Sequence, residues 1–88
     1  MYVVECSDAS RSLYCGISND VAKRVKTHNA GKGAKYTRGR TPVRLLATWP
    51  YPDRSTASSA EYQFKKLSRV EKCAFIKKPE TWNADKHR

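Results

Sequence analysis

Two short β-leaning runs, Tyr2 to Cys6 (YVVEC) and Leu13 to Ile17 (LYCGI), are separated only by the turn formers SDASRS. That connection is too short for a crossover, so the runs must fold back as an antiparallel hairpin with a longer loop. A lone hairpin is marginal in water and has to bury one face on another strand or a helix. The chain offers both. Ser18, Asn19 and Asp20 are all N-cap formers ahead of a helix from Val21 to about Asn29, with Gly31 as its stop. Val43 to Trp49 (VRLLATW) reads as a third strand, ended by Pro50 and Pro52. A second helix is expected from near Ser55 to about Leu67. Ser68 and Glu71 then make a capping box that opens a third helix through about Ile76, which Pro79 stops.

The order β-β-α-β-α-α predicts an α+β fold, a small antiparallel sheet flanked by helices. With 88 residues there is room for a single core. The domain is expected over residues 1–78, and PETWNADKHR, residues 79–88, reads as a C-terminal tail without periodic pattern. At 39% hydrophobic and 30% charged, the composition is that of a folded domain rather than a disordered segment. No run approaches the roughly 20 apolar residues of a membrane helix, so no membrane role is expected. The opening MYVVECSDASRS lacks the basic region and apolar core of a secretory signal, which points to a cytoplasmic protein. Cys6, Cys15 and Cys73 form no CxxC pair, and a zinc site would have to recruit His28 or His87 at no recognised spacing. They read as small buried or half-buried side chains.

Eighteen Lys and Arg against eight Asp and Glu give a formal charge of +10, which calls for a polyanionic partner. No acid occurs between Asp20 and Asp53, whereas Lys23, Arg24, Lys26, Lys32, Lys35, Arg38, Arg40 and Arg44 all fall there. Without a basic amphipathic helix of membrane type, nucleic acid is the leading partner. The glycines and lysines of GKGAKYT lack the spacing of a P-loop and are better read as flexible backbone that carries cations near phosphates.

On the first helix Arg24 and His28 flank the stripe formed by Val21 and Val25, while Lys23, Lys26 and Thr27 lie on the opposite side. Partial burial of a guanidinium is unfavourable unless an anion pairs with it, and this chain has few acids to spare, so the ligand is a candidate anion. The alternative is an Arg24 stem that snorkels beside a satisfied, half-buried His28. On the second helix Glu61 adjoins the stripe Ala57, Ala60, Phe64 and Leu67. It reads as a cap with Ser58, as a salt-bridge partner or as a hard oxygen ligand for Mg²⁺. In the second strand Tyr14 and Gly16 share a face, and the glycine leaves room beside the ring for a phosphate.

Taken together, these pieces resemble the GIY-YIG nuclease family, and most closely its small stand-alone members, from Tyr2 to about Lys78. The second family tripeptide is matched by Tyr14-Cys15-Gly16, followed by the helix with Arg24 and His28. HNAGKGAKYTRGRTPVRLL and DRSTASSAEYQFKKLSRVEK are similar to the small members over their length. In the first tripeptide Tyr2 fits the final tyrosine and Met1 the middle residue. The glycine position falls before the chain, so a clipped first strand and weaker activity are expected. The resemblance implies a Mg²⁺-dependent (or Mn²⁺-dependent) DNA endonuclease of one-metal type. Arg24 would stabilise charge on the scissile phosphate, His28 would orient or relieve a proton from the tyrosine centre, and Glu61 would hold the metal. Tyr14 would help to deprotonate the attacking water with Tyr2 in support, and Lys32, Lys35, Tyr36, Arg38 and Arg40 would contact nucleic acid. A late asparagine contributes in the family, but Asn83 is given no role. The rival readings are a catalytically silent basic nucleic-acid-binding module and a nuclease subunit that needs a protein partner to choose its sites.

Overall fold

In the computed structural model, which describes residues 1–83, the elements are β1 (Tyr2–Glu5), β2 (Leu13–Gly16), α1 (Val21–Asn29), β3 (Arg44–Thr48), α2 (Arg54–Lys65) and α3 (Arg69–Lys77). A 3₁₀ turn, Pro79–Thr81, follows. The three strands form one antiparallel sheet, as expected, in the order β2-β1-β3. None of the described helices is long and apolar enough to cross a membrane.

Because β1 is the middle strand, helices cover both of its faces. Its alternation sends Tyr2, Val4 and Cys6 to one side, where they pack with Val43, Tyr14 and the α1 valines Val21 and Val25. Met1 and Val3 point to the other side, among Cys15, Ala47, Trp49, Trp82 and the α2 residues Ala60 and Phe64. Full burial of a side chain such as Phe64 contributes roughly 1.5–3 kcal/mol, so the two clusters hold the layers together. Cys6 and Cys15 are buried and Cys73 is half-buried; all three are free thiols.

Local chemistry sets the helix ends. The Asp20 carboxylate accepts the Lys23 N–H at 3.1 Å and caps α1, and Gly31 ends it with φ of +77°. Ser68 and Glu71 form the expected reciprocal capping box on α3. On α2 the cap is Asp53, whose carboxylate accepts the Thr56 N–H at 2.8 Å, so the helix begins before Ser55. Ser58 therefore sits inside the helix, and its pairing with Glu61 as a cap falls away.

The residues after Lys78 are packed as far as Trp82, although they carry no sequence pattern. Trp82 stacks edge-on against Phe64 and Phe75 and donates its indole N–H to the Tyr51 hydroxyl at 2.9 Å. Trp49 likewise donates to the Pro79 carbonyl at 2.8 Å. Residues 84–88 of the expected tail, including His87, lie outside the described residues.

The basic segment between α1 and β3 is also not the flexible backbone that its glycines suggest. Asn29, at the end of α1, accepts the Val43 N–H at 2.6 Å and donates to the Val43 carbonyl at 3.3 Å. Ser7 binds the same end, through its N–H to the Arg40 carbonyl at 2.9 Å and its hydroxyl to that of Pro42. Asp8 pairs with Arg40 at 3.3 Å. The hairpin loop and α1 thus together hold the C-terminal end of the segment.

Candidate active site

The strand register brings Tyr2 opposite Gly16 and Val4 opposite Tyr14. The Tyr2 ring lies across Gly16, where a Cβ would come within 2.6 Å of the phenol oxygen. Any larger residue would expel the ring. The space beside Gly16 is therefore filled by Tyr2 and is not open to a phosphate, because the neighbouring strand projects its own tyrosine into it. The ring reaches over to α1, where the Tyr2 hydroxyl and His28 Nε2 are 2.8 Å apart.

His28 is deeper than a residue flanking the helix stripe is expected to be, at 0% exposure. Its other nitrogen, Nδ1, lies 2.8 Å from the Thr37 hydroxyl, so both ring nitrogens are engaged by side chains. Burial first, and the neighbouring Arg24 guanidinium second, hold its pKa below the ordinary imidazole value. Burial pushes the Tyr2 phenol above its ordinary value, partly offset by a hydrogen bond from Arg24. Arg24 thus adjoins both rings, and among the described residues no carboxylate pairs with it. Tyr14 completes the group, its ring edge-on to His28 at 5.4 Å and stacked on Tyr36 at 5.9 Å. Tyr36 is 43% exposed, and its other neighbour is the Arg40 guanidinium, 4.5 Å from the ring centroid.

The depressed pKa of His28 has a thermodynamic sign. The unfolded chain binds a proton near the ordinary value of about 6.5. The folded chain resists it, so unfolding takes up a proton and stability falls as pH drops below that value. The melting temperature is expected to decline between about pH 7 and 5.5, a window above the one in which Asp8 and Asp53, both shifted down by hydrogen bonds, contribute. In His28→Gln the melting temperature should be lower and flatter across that window. An equally steep decline would assign the proton to another group.

Glu61 approaches from the other side of the sheet. It lies close enough to Cys15 to help drive that thiol, already disfavoured by burial, up to about 12, and its charge also acts on the Met1 ammonium. Its carboxylate pairs with Lys65 at 3.6 Å, and the Lys65 ammonium is 5.9 Å from the Tyr14 ring centroid. Lys65 thus spans the free edge of β2. A cleft of about 430 Å³ opens along that edge, lined by Tyr14 and Tyr36 on one side and Cys15, Phe64, Lys65 and Lys72 on the other.

The structure therefore gathers Tyr2, Tyr14, Arg24 and His28 on one face, with Glu61 beyond the sheet edge. Among the described residues, no three His, Cys, Asp or Glu side chains cluster to cage a metal. A single half-buried carboxylate suits Mg²⁺ in its usual protein setting, where water and substrate phosphate complete the shell. Lys32, Lys35 and Arg38 form no salt bridge within the described residues, whereas Arg40 is committed to Asp8, to the Tyr36 carbonyl at 2.6 Å and to the Tyr36 ring. Thr37 and Gly33 carry no signal in the sequence beyond their place in a glycine-rich run. Both are buried, and a Cβ on Gly33 would collide with the His28 ring.

Known proteins are similar to this chain in sequence and fold. The GIY-YIG catalytic domain matches residues 1–73. A UPF0213 protein of Bacillus cereus is 51% identical over 85 residues, covering 97% of this chain and 86% of the relative. One of Streptococcus sanguinis is 54% identical over 77 residues, covering 88% and 86%, and one of Halobacterium salinarum is 53% identical over 76 residues, covering 86% and 96%. The solution structure of a UPF0213 protein from Bacillus halodurans superposes with a TM-score of 0.50 at 46% identity, over 86% of this chain and 81% of that one. With its paired tyrosines, helix arginine and buried histidine on one face of a three-stranded sheet, the chain belongs to the GIY-YIG family.

Proposed function

We propose that this chain is a divalent-metal-dependent endonuclease that hydrolyses phosphodiester bonds in DNA. The observation that carries the reading is the Tyr2–His28 hydrogen bond, buried beside an arginine that pairs with no carboxylate among the described residues and next to a second tyrosine at a cleft edge. Hydrolysis needs a positioned water, a route for its proton and neutralisation of charge that grows on the phosphate. Tyr14, half-buried at the cleft, meets the water. As Tyr14 takes a proton from the water it gives its own to the Tyr2 oxygen, and Tyr2 passes its phenol proton to His28 Nε2. A neutral imidazole is required for that transfer, and burial keeps it neutral at pH 7. Arg24 binds the phosphate, its planar fork contacting two oxygens at once. Glu61 would hold Mg²⁺ or Mn²⁺, which when bound supplies further charge neutralisation at the phosphate.

The purified chain, incubated with branched, single-stranded and duplex DNA, should cut at least one of them with Mg²⁺ and none after chelation. Binding without cutting in every metal would leave a binding module. Lys32 and Lys35 supply phosphate contacts that position DNA without reading bases. Replacing both with Ala should reduce the magnitude of the log K against log salt slope by roughly two. An unchanged slope would show that these charges face solvent only.

A further inference from the structure

Four groups stand in line from the sheet to the basic segment: the Tyr2 hydroxyl, the His28 ring, the Thr37 hydroxyl and the Ala34 carbonyl. Each link could in principle run in either direction, but the ends decide it. Arg24, beside the Tyr2 phenol, only donates, whereas His28 Nε2 lies 2.8 Å from the Tyr2 oxygen. The phenol proton is therefore directed to Nε2, which is bare. A neutral imidazole with a bare Nε2 carries its proton on Nδ1. That proton needs an acceptor in a fully buried position, and Thr37 Oγ1 stands 2.8 Å away. At the far end, Oγ1 is 2.9 Å from the Ala34 carbonyl, which can only accept, so the single hydroxyl proton points away from the ring. Both ends demand the same polarity.

We infer that Thr37 is a positioning residue for the reaction: its Oγ1 accepts the His28 Nδ1 proton and thereby holds Nε2 empty, facing the Tyr2 hydroxyl. The seat is built for this purpose. Thr37 is 0% exposed and is held in its turn by its own N–H to Ala34 at 3.0 Å. Gly33 gives the ring its space, since any side chain there would overlap Nδ1. If the other tautomer formed, Nε2–H would point at the Tyr2 oxygen, the phenol proton would have no acceptor and the route out of the tyrosine centre would close. The basic segment thus contributes to proton transfer as well as to charge, which rests on the nuclease reading above only for its consequence, and not for its geometry.

The test is separable in the same way. Long-range ¹H–¹⁵N correlation spectra of the full chain, uniformly ¹⁵N-labelled at pH 7.5, distinguish a protonated from a bare ring nitrogen. The wild type should show His28 as the Nδ1–H form. Thr37→Val keeps the branched shape but removes the acceptor, and should shift His28 toward the Nε2–H form. Single-turnover cleavage should fall by up to about 100-fold, the scale of acid–base assistance, with DNA affinity unchanged. Thr37→Ser should restore both tautomer and rate. A wild-type Nε2–H form overturns the inference without recourse to any variant, as does a Thr37→Val protein with the Nδ1–H form and full activity. If the wild type shows Nδ1–H and cuts no DNA, the tautomer assignment stands and the nuclease reading fails alone.

Discussion

Replacing Arg24 by either Ala or Lys is expected to lower single-turnover DNA cleavage by about two to three orders of magnitude, the range for loss of one preorganised contact to a developing oxyanion. The two substitutions should behave alike because Lys keeps the charge but not the planar fork. Affinity should change only a few-fold in both, since the remaining cations of a chain with formal charge +10 still attract DNA. The Arg24 guanidinium also favours ionisation of the Tyr2 phenol, so its removal acts on the proton route as well as on the phosphate. Cleavage and equilibrium binding measured on one substrate decide the matter. Equal losses in both would make Arg24 a phosphate anchor, and no loss in either would remove the centre of the mechanism.

Glu61→Gln should be comparably severe for a different reason. The amide preserves shape but is a poor ligand for a hard cation. Loss of several kcal/mol of charge stabilisation corresponds to a fall on the order of 10³-fold at limiting Mg²⁺. Stability should barely change, because the lost Glu61–Lys65 pair is half-exposed and spaced i,i+4, an arrangement that contributes about 0.3–0.5 kcal/mol. Thermal melts and Mg²⁺ titrations of cleavage separate the two effects. A mutant that cuts normally at limiting Mg²⁺ would place the metal elsewhere.

Features fixed by neighbours in the chain were legible in the sequence. The Asp20 cap, the Gly31 stop and the Ser68–Glu71 box each depend on residues within one helical turn, so their residue types announce them. Gly16 was read as room for a ligand because its partner across the sheet is set by register, which no local pattern reveals. His28 was placed at the margin of the α1 stripe, yet its depth follows from Thr37 and Gly33 closing over it from a segment that has no periodicity. Trp82 is a similar case: a single aromatic beyond a proline gives no repeat, and only the assembled core shows the slot between Phe64 and Phe75 that it fills. Glu61 illustrates the reverse. Its place beside the apolar stripe was evident from helical spacing, whereas its approach from the opposite side of the sheet from His28 depends on how the layers stack.

The clamping of the basic segment bears on how the protein meets a strand of DNA. A loose loop of lysines and arginines would lose roughly 1–2 kcal/mol of backbone freedom for each residue that became ordered on contact, and much of its attraction would be offset. Here Asn29, Ser7 and Asp8 already hold its C-terminal end, and turns at Lys32, Thr37 and Arg38 order the rest. Lys32, Lys35 and Arg38 are therefore carried on backbone that is already ordered. On the nuclease reading, a segment ordered in advance loses little further freedom when it meets phosphates, and its cations act without reading bases.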